Sequence, residues 1–337
     1  MQPKILAVRL RYGAILGNLA KARGHRLTFP TFDLGLFESA TGEERQERAR
    51  DLDEICREIG FLVLTGHDVP VGVIEEQWRV VRDFFGQDLG EKSKVAAPYP
   101  GYPYGWLPEQ SEALAASKGV KTPPDLKESF NGGPLEVVEG IKDAAAYEFC
   151  YQPTQWPEID GFQTAWCAYY NQMEALACRI MAAFAEALGL PPGHFGPYIS
   201  NPISALRALR YPPTGPVAQD GQERAGAHTD YGSLTILMPF KARPGLQVMQ
   251  GENWVDVPVP EGAFVINIGD LMAHWTNNRW VSTLHRVIAR PNQAERFSLA
   301  YFHQPNWDAE IFPLDGSGGA SVVSGRYLMN KFKSTSA

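Results

Sequence analysis

Apolar residues in the first half of the chain recur alternately at helical and at extended spacing. Residues 28–36, TFPTFDLGL, alternate apolar and polar side chains and predict a short strand. Over 42–59, Leu52, Ile55, Cys56 and Ile59 form one helical stripe. Thr41 with Glu44 three residues on predicts a capping box at its start, and Gly60 a stop at its end. FLVLT at 61–65 reads as a buried strand, and Val73–Phe85 as a second amphipathic helix. The stretch 96–108, AAPYPGYPYGWLP, is rich in Pro, Gly and aromatics and predicts a loop. Asp160–Leu190 carries a long helical pattern that Pro191-Pro192 ends.

The pattern then changes. Between about 203 and 303 come the short β-rich runs ISALRALRYP, SLTILMPF, LQVMQ, WVDVPV, AFVINIG, RWVSTLHRVIA and FSLAYFH, separated by turn residues. Such punctuation predicts an antiparallel sandwich or barrel. There is no internal repeat and no linker long enough to demand two independent domains. A helix-rich first half therefore packs on a β-rich second half.

Composition narrows the partners. The net charge of −7 argues against a nucleic-acid or anionic-membrane surface. No apolar run is long enough to span a bilayer. Cys56, Cys150, Cys167 and Cys178 lack zinc-ligand spacing and fit reduced thiols in a cytoplasmic protein. The first 26 residues hold Lys4, Arg9, Arg11, Lys21, Arg23 and Arg26 but no acid. A transit peptide, a plain helix or a vector-derived extension all fit that composition.

The candidate chemistry begins at AGAHTDYGSLTIL, 225–237. On an extended chain, positions two apart share a face, so His228 and Asp230 project together, about 7 Å apart at the backbone. His285 lies on another strand-like run. Two imidazoles and a carboxylate are the ligand set of a non-haem Fe(II) site, whereas structural zinc asks for a fourth protein ligand. By itself His-x-Asp also fits an Asp–His hydrogen bond at a turn. Arg296-Phe297-Ser298 follows, its guanidinium and hydroxyl on one face ahead of the apolar strand FSLAYFH. A buried Arg needs an anion, either a structural acid or the carboxylate of a bound ligand.

These residues carry a resemblance. The chain is similar to the isopenicillin N synthase-like branch of the Fe(II)/2-oxoglutarate-dependent dioxygenases over about 27–304. The likeness runs through FPTFDL at 29–34, GFLVLTGHDVP at 60–70, GYPYG at 101–105 and DLKESF at 125–130. It continues through LRALRYPP at 206–213, AHTDYGSLTIL at 227–237, the stretch from Gly245 to Val287, and RFSLAYF at 296–302. The resemblance implies a mainly β fold with helices. This is a double-stranded β-helix, or distorted jelly roll, with a helix-rich N-terminal region packed on it. It divides the chain into a basic extension at 1–26, a helix-rich region at 27–150, a catalytic core with its supporting long helix at 151–310, and a C-terminal segment at 311–337. It also implies Fe(II) on His228, Asp230 and His285, and 2-oxoglutarate held through its C5 carboxylate by Arg296 and Ser298, with help from Tyr211. O2 is then the co-oxidant, ascorbate a stimulant, and the product an oxidised small molecule, released with succinate and CO2. Hydroxylation is the simplest outcome and desaturation a variant. Plant-type members read Asn-Tyr-Tyr-Pro where this chain has Leu209-Arg210-Tyr211-Pro212, so that asparagine is absent.

Two other functions share parts of this pattern. One is an iron-dependent oxidase or oxidative cyclase that does not use 2-oxoglutarate; the other is a metal-binding sensor without turnover. Asn267 and Asp270 fit strand-end hydrogen bonding, and His67, His274 and His303 fit packing roles. Asp125, Lys127 and Glu128 predict a salt-bridged element. Tyr102 and Phe130 are candidates for substrate contact, since aromatics near a Pro/Gly loop must pack on the core or on the mouth of a site.

Overall fold

The computed structural model describes residues 29–333, apart from 100, 121, 137–142 and 216–220. The basic extension at 1–26 lies outside the described residues. Strand β1 spans only Thr31–Asp33; helix α1, Leu34–Ser39, follows at once. The expected strand over 28–36 is thus half helix, because the Asp33 carboxylate accepts from Leu36 N at 2.9 Å and caps the turn. Helix α2, Gly42–Glu58, has the expected span, but Thr41 makes no side-chain cap bond.

Gly60 ends that segment at φ +64°, where a Cβ would meet the Val281 carbonyl oxygen at 2.0 Å. Only glycine fits that turn into β2, Phe61–Thr65. Helix α3 covers Val71–Phe85 and α4 Leu89–Ser93. The expected loop at 96–108 contains a short strand, β3, at Gly105–Leu107. Its partner β4 is Glu128–Gly132. Helix α5 is Ala144–Cys150, and the long α6 is Phe162–Ala187.

The β-rich half supplies β5 (Ala205–Tyr211), β6 (Ala225–His228), β7 (Leu234–Pro239), β8 (Leu246–Gln250), β9 (Asn253–Asp256), β10 (Phe264–Ile268), β11 (His285–Val287) and β12 (Arg296–His303). Helix α7, Asp270–Trp275, interrupts it. A large sheet runs β1-β2-β10-β7-β12-β5-β4-β3 and a small one β6-β11-β8-β9. The helix-rich first half thus contributes four strands to the large sheet. Of RWVSTLHRVIA, only His285–Val287 is strand.

The central strands of the large sheet, β2, β10, β7, β12 and β5, send alternate residues to two different cores. Leu206, Ala208, Ile236, Ile266, Leu299 and Tyr301 pack outward with Trp166, Met173 and Phe184 of α6. Leu209, Tyr211, Val265 and Ala300 pack inward with Val248 and Val287 of the small sheet. This is the double-stranded β-helix, mainly β with helices. Among the described residues no helix is long and apolar enough to cross a membrane.

Candidate metal centre and cosubstrate pocket

Strands β6 and β11 pair antiparallel with His285 directly opposite His228. The two rings stand 4.3 Å apart, centroid to centroid. His228 Nδ1 donates to the Gly226 carbonyl at 2.7 Å, and His285 Nδ1 to that of Thr283 at 3.1 Å. Both rings are thereby fixed as the tautomer that leaves Nε2 free as a ligand atom. Each Nε2 lies 3.8 Å from Asp230 Oδ1. One ligand atom from each of the three residues falls within 4.8 Å of the others, the spacing of a site for one metal ion.

Asp230 uses its other oxygen differently. Oδ2 accepts from Thr235 Oγ1 at 2.6 Å and from Asn267 Nδ2 at 2.7 Å. Burial alone would raise the Asp230 carboxyl; His285, His228 and these two bonds outweigh it and hold it below its ordinary value. Burial, reinforced by His285, brings His228 down to about 3. A carboxylate and neutral imidazoles are the states a metal ion needs. From sequence, Asn267 reads as a strand-end hydrogen bonder; in the structure it orients the carboxylate of the triad through a 2.7 Å bond. Its signal is an amide inside the apolar run FVINI, a costly placement without a buried partner.

Below the triad, Arg296 sits opposite Tyr211 and Ser298 opposite Leu209 in the β12–β5 register. Arg296 is 2% exposed. Its Nη1 donates to Ser298 Oγ at 3.3 Å, and that hydroxyl donates to Tyr211 Oη at 3.4 Å. The guanidinium lies 5.0 Å from the Tyr211 ring. Its Nε has no partner among the described residues, and no carboxylate pairs with it there. Burial draws the group below its usual range, yet a guanidinium stays charged.

A second buried cation lies close by. Arg224, 2% exposed, donates through Nη2 to the carbonyls of Pro212 and Ala294, each at 2.8 Å, and its Nε is also unpartnered among the described residues. Burial and then the like charge of Arg296 lower it. Arg224 carries no motif signal, and its role emerges only in the folded barrel. Two buried guanidiniums with no carboxylate partner among the described residues have the charge and the free donors to attract an anion.

The two aromatic candidates lie elsewhere. Phe130 is fully buried against Phe84, Phe162 and Trp166. It faces α6, on the side of the sheet away from the triad, so its expected contact with substrate is corrected. Tyr102 donates to the Pro153 carbonyl, accepts from Gln155 Nε2 at 3.0 Å and packs edge-on to Tyr99. Tyr102 is buried because a Pro/Gly loop cannot leave its ring in water at low cost, and Phe130 because it is an outward residue of β4 under α6. The DLKESF ion pairs divide by face. Glu128 turns outward to Lys92, Arg210 and the Trp106 indole, while Asp125 and Lys127 turn inward.

The comparisons with known proteins bear on the family and the fold. The family model of the 2OG-Fe(II) oxygenase superfamily matches residues 202–305. The model of the non-haem dioxygenase in morphine synthesis N-terminal region matches 29–159. Validamycin A dioxygenase of Streptomyces hygroscopicus subsp. limoneus is 31% identical, over 90% of this chain and 85% of its own. A homoarginine-6-hydroxylase of Arabidopsis thaliana is 32% identical, over 86% and 90% respectively. Among solved structures, a full-length Neurospora crassa protein in complex with alpha-KG superposes with a TM-score of 0.79 at 28% identity, covering 90% of this chain and 95% of that one. The same Neurospora protein is also solved with alpha-KG and thymine, so this neighbour binds a small molecule beside alpha-KG. With both halves matched, the chain belongs to the 2OG-Fe(II) oxygenase superfamily and is an Fe(II)- and 2-oxoglutarate-dependent dioxygenase.

Proposed function

We propose that His228, Asp230 and His285 hold the Fe(II), that Arg296, Ser298, Tyr211 and Arg224 hold the distal carboxylate of 2-oxoglutarate, and that the substrate is a small molecule oxidised at a C–H bond. The observation that carries the reading is the pair of buried guanidiniums, Arg296 and Arg224, with no carboxylate partner among the described residues, in the same barrel as a two-His, one-carboxylate cluster. An iron-dependent oxidase or oxidative cyclase of the same fold keeps the triad and the Arg-x-Ser, so affinity for 2-oxoglutarate is what separates the two readings. Bound Fe(II), with O2, supplies the oxidative decarboxylation of 2-oxoglutarate to succinate and CO2 and the oxidation of the substrate C–H bond.

The chain's own groups bind and orient. Gly226 and Thr283 fix the imidazole tautomers, and Thr235 and Asn267 aim Asp230. Arg296 offers a planar fork to a carboxylate, and the Ser298 and Tyr211 hydroxyls fill the same floor. Val248, Val265, Val287 and Ala300 line the inner core and exclude water around it. Four unpaired cysteines support a reducing, cytoplasmic setting.

The test is anaerobic. Fe(II) and then 2-oxoglutarate are added, and the visible charge-transfer band of the chelated keto acid is recorded. The band should form in the wild type. In Arg296→Leu it should demand about 100-fold more 2-oxoglutarate, the worth of a buried charge-assisted pair. Iron binding without a band at any concentration would instead favour direct coordination of the substrate.

A further inference from the structure

One wall of the barrel is polar, and the cosubstrate reading does not use it. The inward residues of the large sheet fall in register across the strands. Thr235 and Asn267, which hold Asp230, share a row with Phe302 and Ala205. The next row, toward Arg296, runs Val265, Leu237, Ala300, Arg207 and Asn131. The row after it contains Ser298, Leu209 and Ser129. Arg207 and Asn131 therefore form a polar edge on the β4–β5 side, one row from Thr235 and Asn267 and one row from Ser298, and Ser129 extends it at the level of Ser298.

That edge is unsatisfied. Asn131 is 4% exposed and Ser129 1%, yet Asn131 Oδ1 and Ser129 Oγ have no hydrogen-bond partner among the described residues. Buried polar atoms without partners point to a ligand or ordered water. Arg207 bonds only through Nη1, to Glu112 at 3.1 Å and 3.3 Å, leaving its Nε and Nη2 edge without a bond to described residues.

The edge is also rigidly held and tied to the triad. Glu112 lies 3.2 Å from Lys127 Nζ, and Lys127 donates to Asp125 at 2.9 Å. Asp125 Oδ1 accepts from Gly226 N at 3.0 Å, and the Gly226 carbonyl accepts from His228. Lys118 Nζ, on the turn at 114–118 beside β6, donates to Thr229 Oγ1 at 2.6 Å.

We propose that Arg207 and Asn131, backed by Ser129, anchor the substrate, and that the anchored group is neutral and planar: a carbonyl flanked by N–H, as in an amide, lactam or imide. The inference rests on the oxygenase reading above and deepens it. Arg207 donates, and the Asn131 amide, which has no side-chain hydrogen bond among the described residues, offers an acceptor and a donor, so a ligand with a carbonyl and an N–H side by side satisfies both residues. Arg207 and Lys127 already face Glu112 and Asp125, two cations against two carboxylates. A carboxylate substrate would add a third negative charge beside Glu112, whereas a neutral amide adds none. Phe302, half-buried on the adjoining row, offers an apolar surface to the rest of the molecule.

The test uses full-length protein loaded anaerobically with Fe(II) and 2-oxoglutarate, and calorimetric titration with two probe sets. Succinimide, uracil and 2-piperidone represent cyclic amides; benzoate and cyclohexanecarboxylate represent carboxylates. At least one amide should bind more tightly than either carboxylate. Its affinity should fall about tenfold or more in Arg207→Leu and in Asn131→Leu, as for loss of a hydrogen bond to a buried or charged group. The 2-oxoglutarate affinity read from the visible band should stay unchanged. Should Arg207→Leu lose its fold through the stranded Glu112, Asn131→Leu removes no charge and carries the comparison. Tighter binding of carboxylates overturns the neutral class. Binding that ignores both substitutions, or no probe binding while the band forms normally, overturns the wall. Absence of the band in the wild type overturns the cosubstrate reading instead.

Discussion

Strand β12 has two faces that are built by different forces. Its outward residues, Phe297, Leu299, Tyr301 and His303, bury surface under the helices. Its inward residues, Arg296, Ser298, Ala300 and Phe302, look across the barrel to the small sheet. The outward face gains its stability from apolar area removed from water. The inward face gives up part of that apolar area to the buried Arg296 and Ser298, and the barrel it lines adds Arg224, the triad and the unpartnered Asn131 and Ser129. Both faces come from one alternating sequence, so a change of one residue moves the consequence from stability to chemistry. If the division is real, substitutions on the two faces should give separable phenotypes.

The largest effect falls on the inward side. Asp230→Ala removes the carboxylate between the two imidazoles and should abolish turnover. Its loss of Fe(II) affinity should exceed the roughly 100-fold that partners of metal ligands can produce. Retained affinity in a metal titration would remove Asp230 from the metal set. Leu299→Ala, one face away and fully buried, is the counterpart. It should cost about 3 kcal/mol in urea unfolding while the affinities for Fe(II) and 2-oxoglutarate hold. A weakened charge-transfer band in that variant would show the faces to be coupled.

A smaller inward effect comes from Asn267→Leu. Asp230 keeps Thr235 but loses its amide donor. Fe(II) affinity should fall by about tenfold, as for other outer partners of metal ligands. If unfolding stability falls and metal affinity does not, Asn267 is structural, as its sequence position suggests.

The same contrast explains what can be read from the sequence. The barrel strands are legible because many short β-rich runs separated by turn residues have few other folds. The triad is legible because an extended reading of the chain puts His228 and Asp230 on one side, although Asp230 lies just past the end of β6, and the family spacing supplies His285. Asn267 and Arg224 are not, because their roles depend on which strands become neighbours: Asn267 meets Asp230 only through the β10–β7 pairing. Phe130 misleads for the same reason. Its neighbours on β4 do not reveal which face meets α6, and the register with Ala208 decides it. The segment 28–36 fails locally, since the Asp33 cap overrides an alternating pattern within its first few residues.

The smallest effect is the most discriminating, because it should depend on pH on one face only. Burial alone would raise the Glu112 carboxyl; Arg207 and Lys127 outweigh it and bring it from an ordinary 4.5 to about 2. A carboxyl depressed in the folded state favours folding fully above its unfolded value. That contribution is lost as the pH falls from there toward the folded value. Glu112→Gln keeps the shape and a carbonyl acceptor, and Asp125 still pairs with Lys127. The variant should therefore be less stable at pH 7 by the part of the charge pairing that Gln cannot supply. In urea unfolding at pH 7, 5, 4 and 3, the gap from the wild type should hold down to pH 5 and then narrow. The Leu299→Ala gap, which involves no proton, should stay constant over the same series. Parallel curves for both variants would mean that Glu112 contributes packing rather than charge, and the inward wall would then be held as the outward one is.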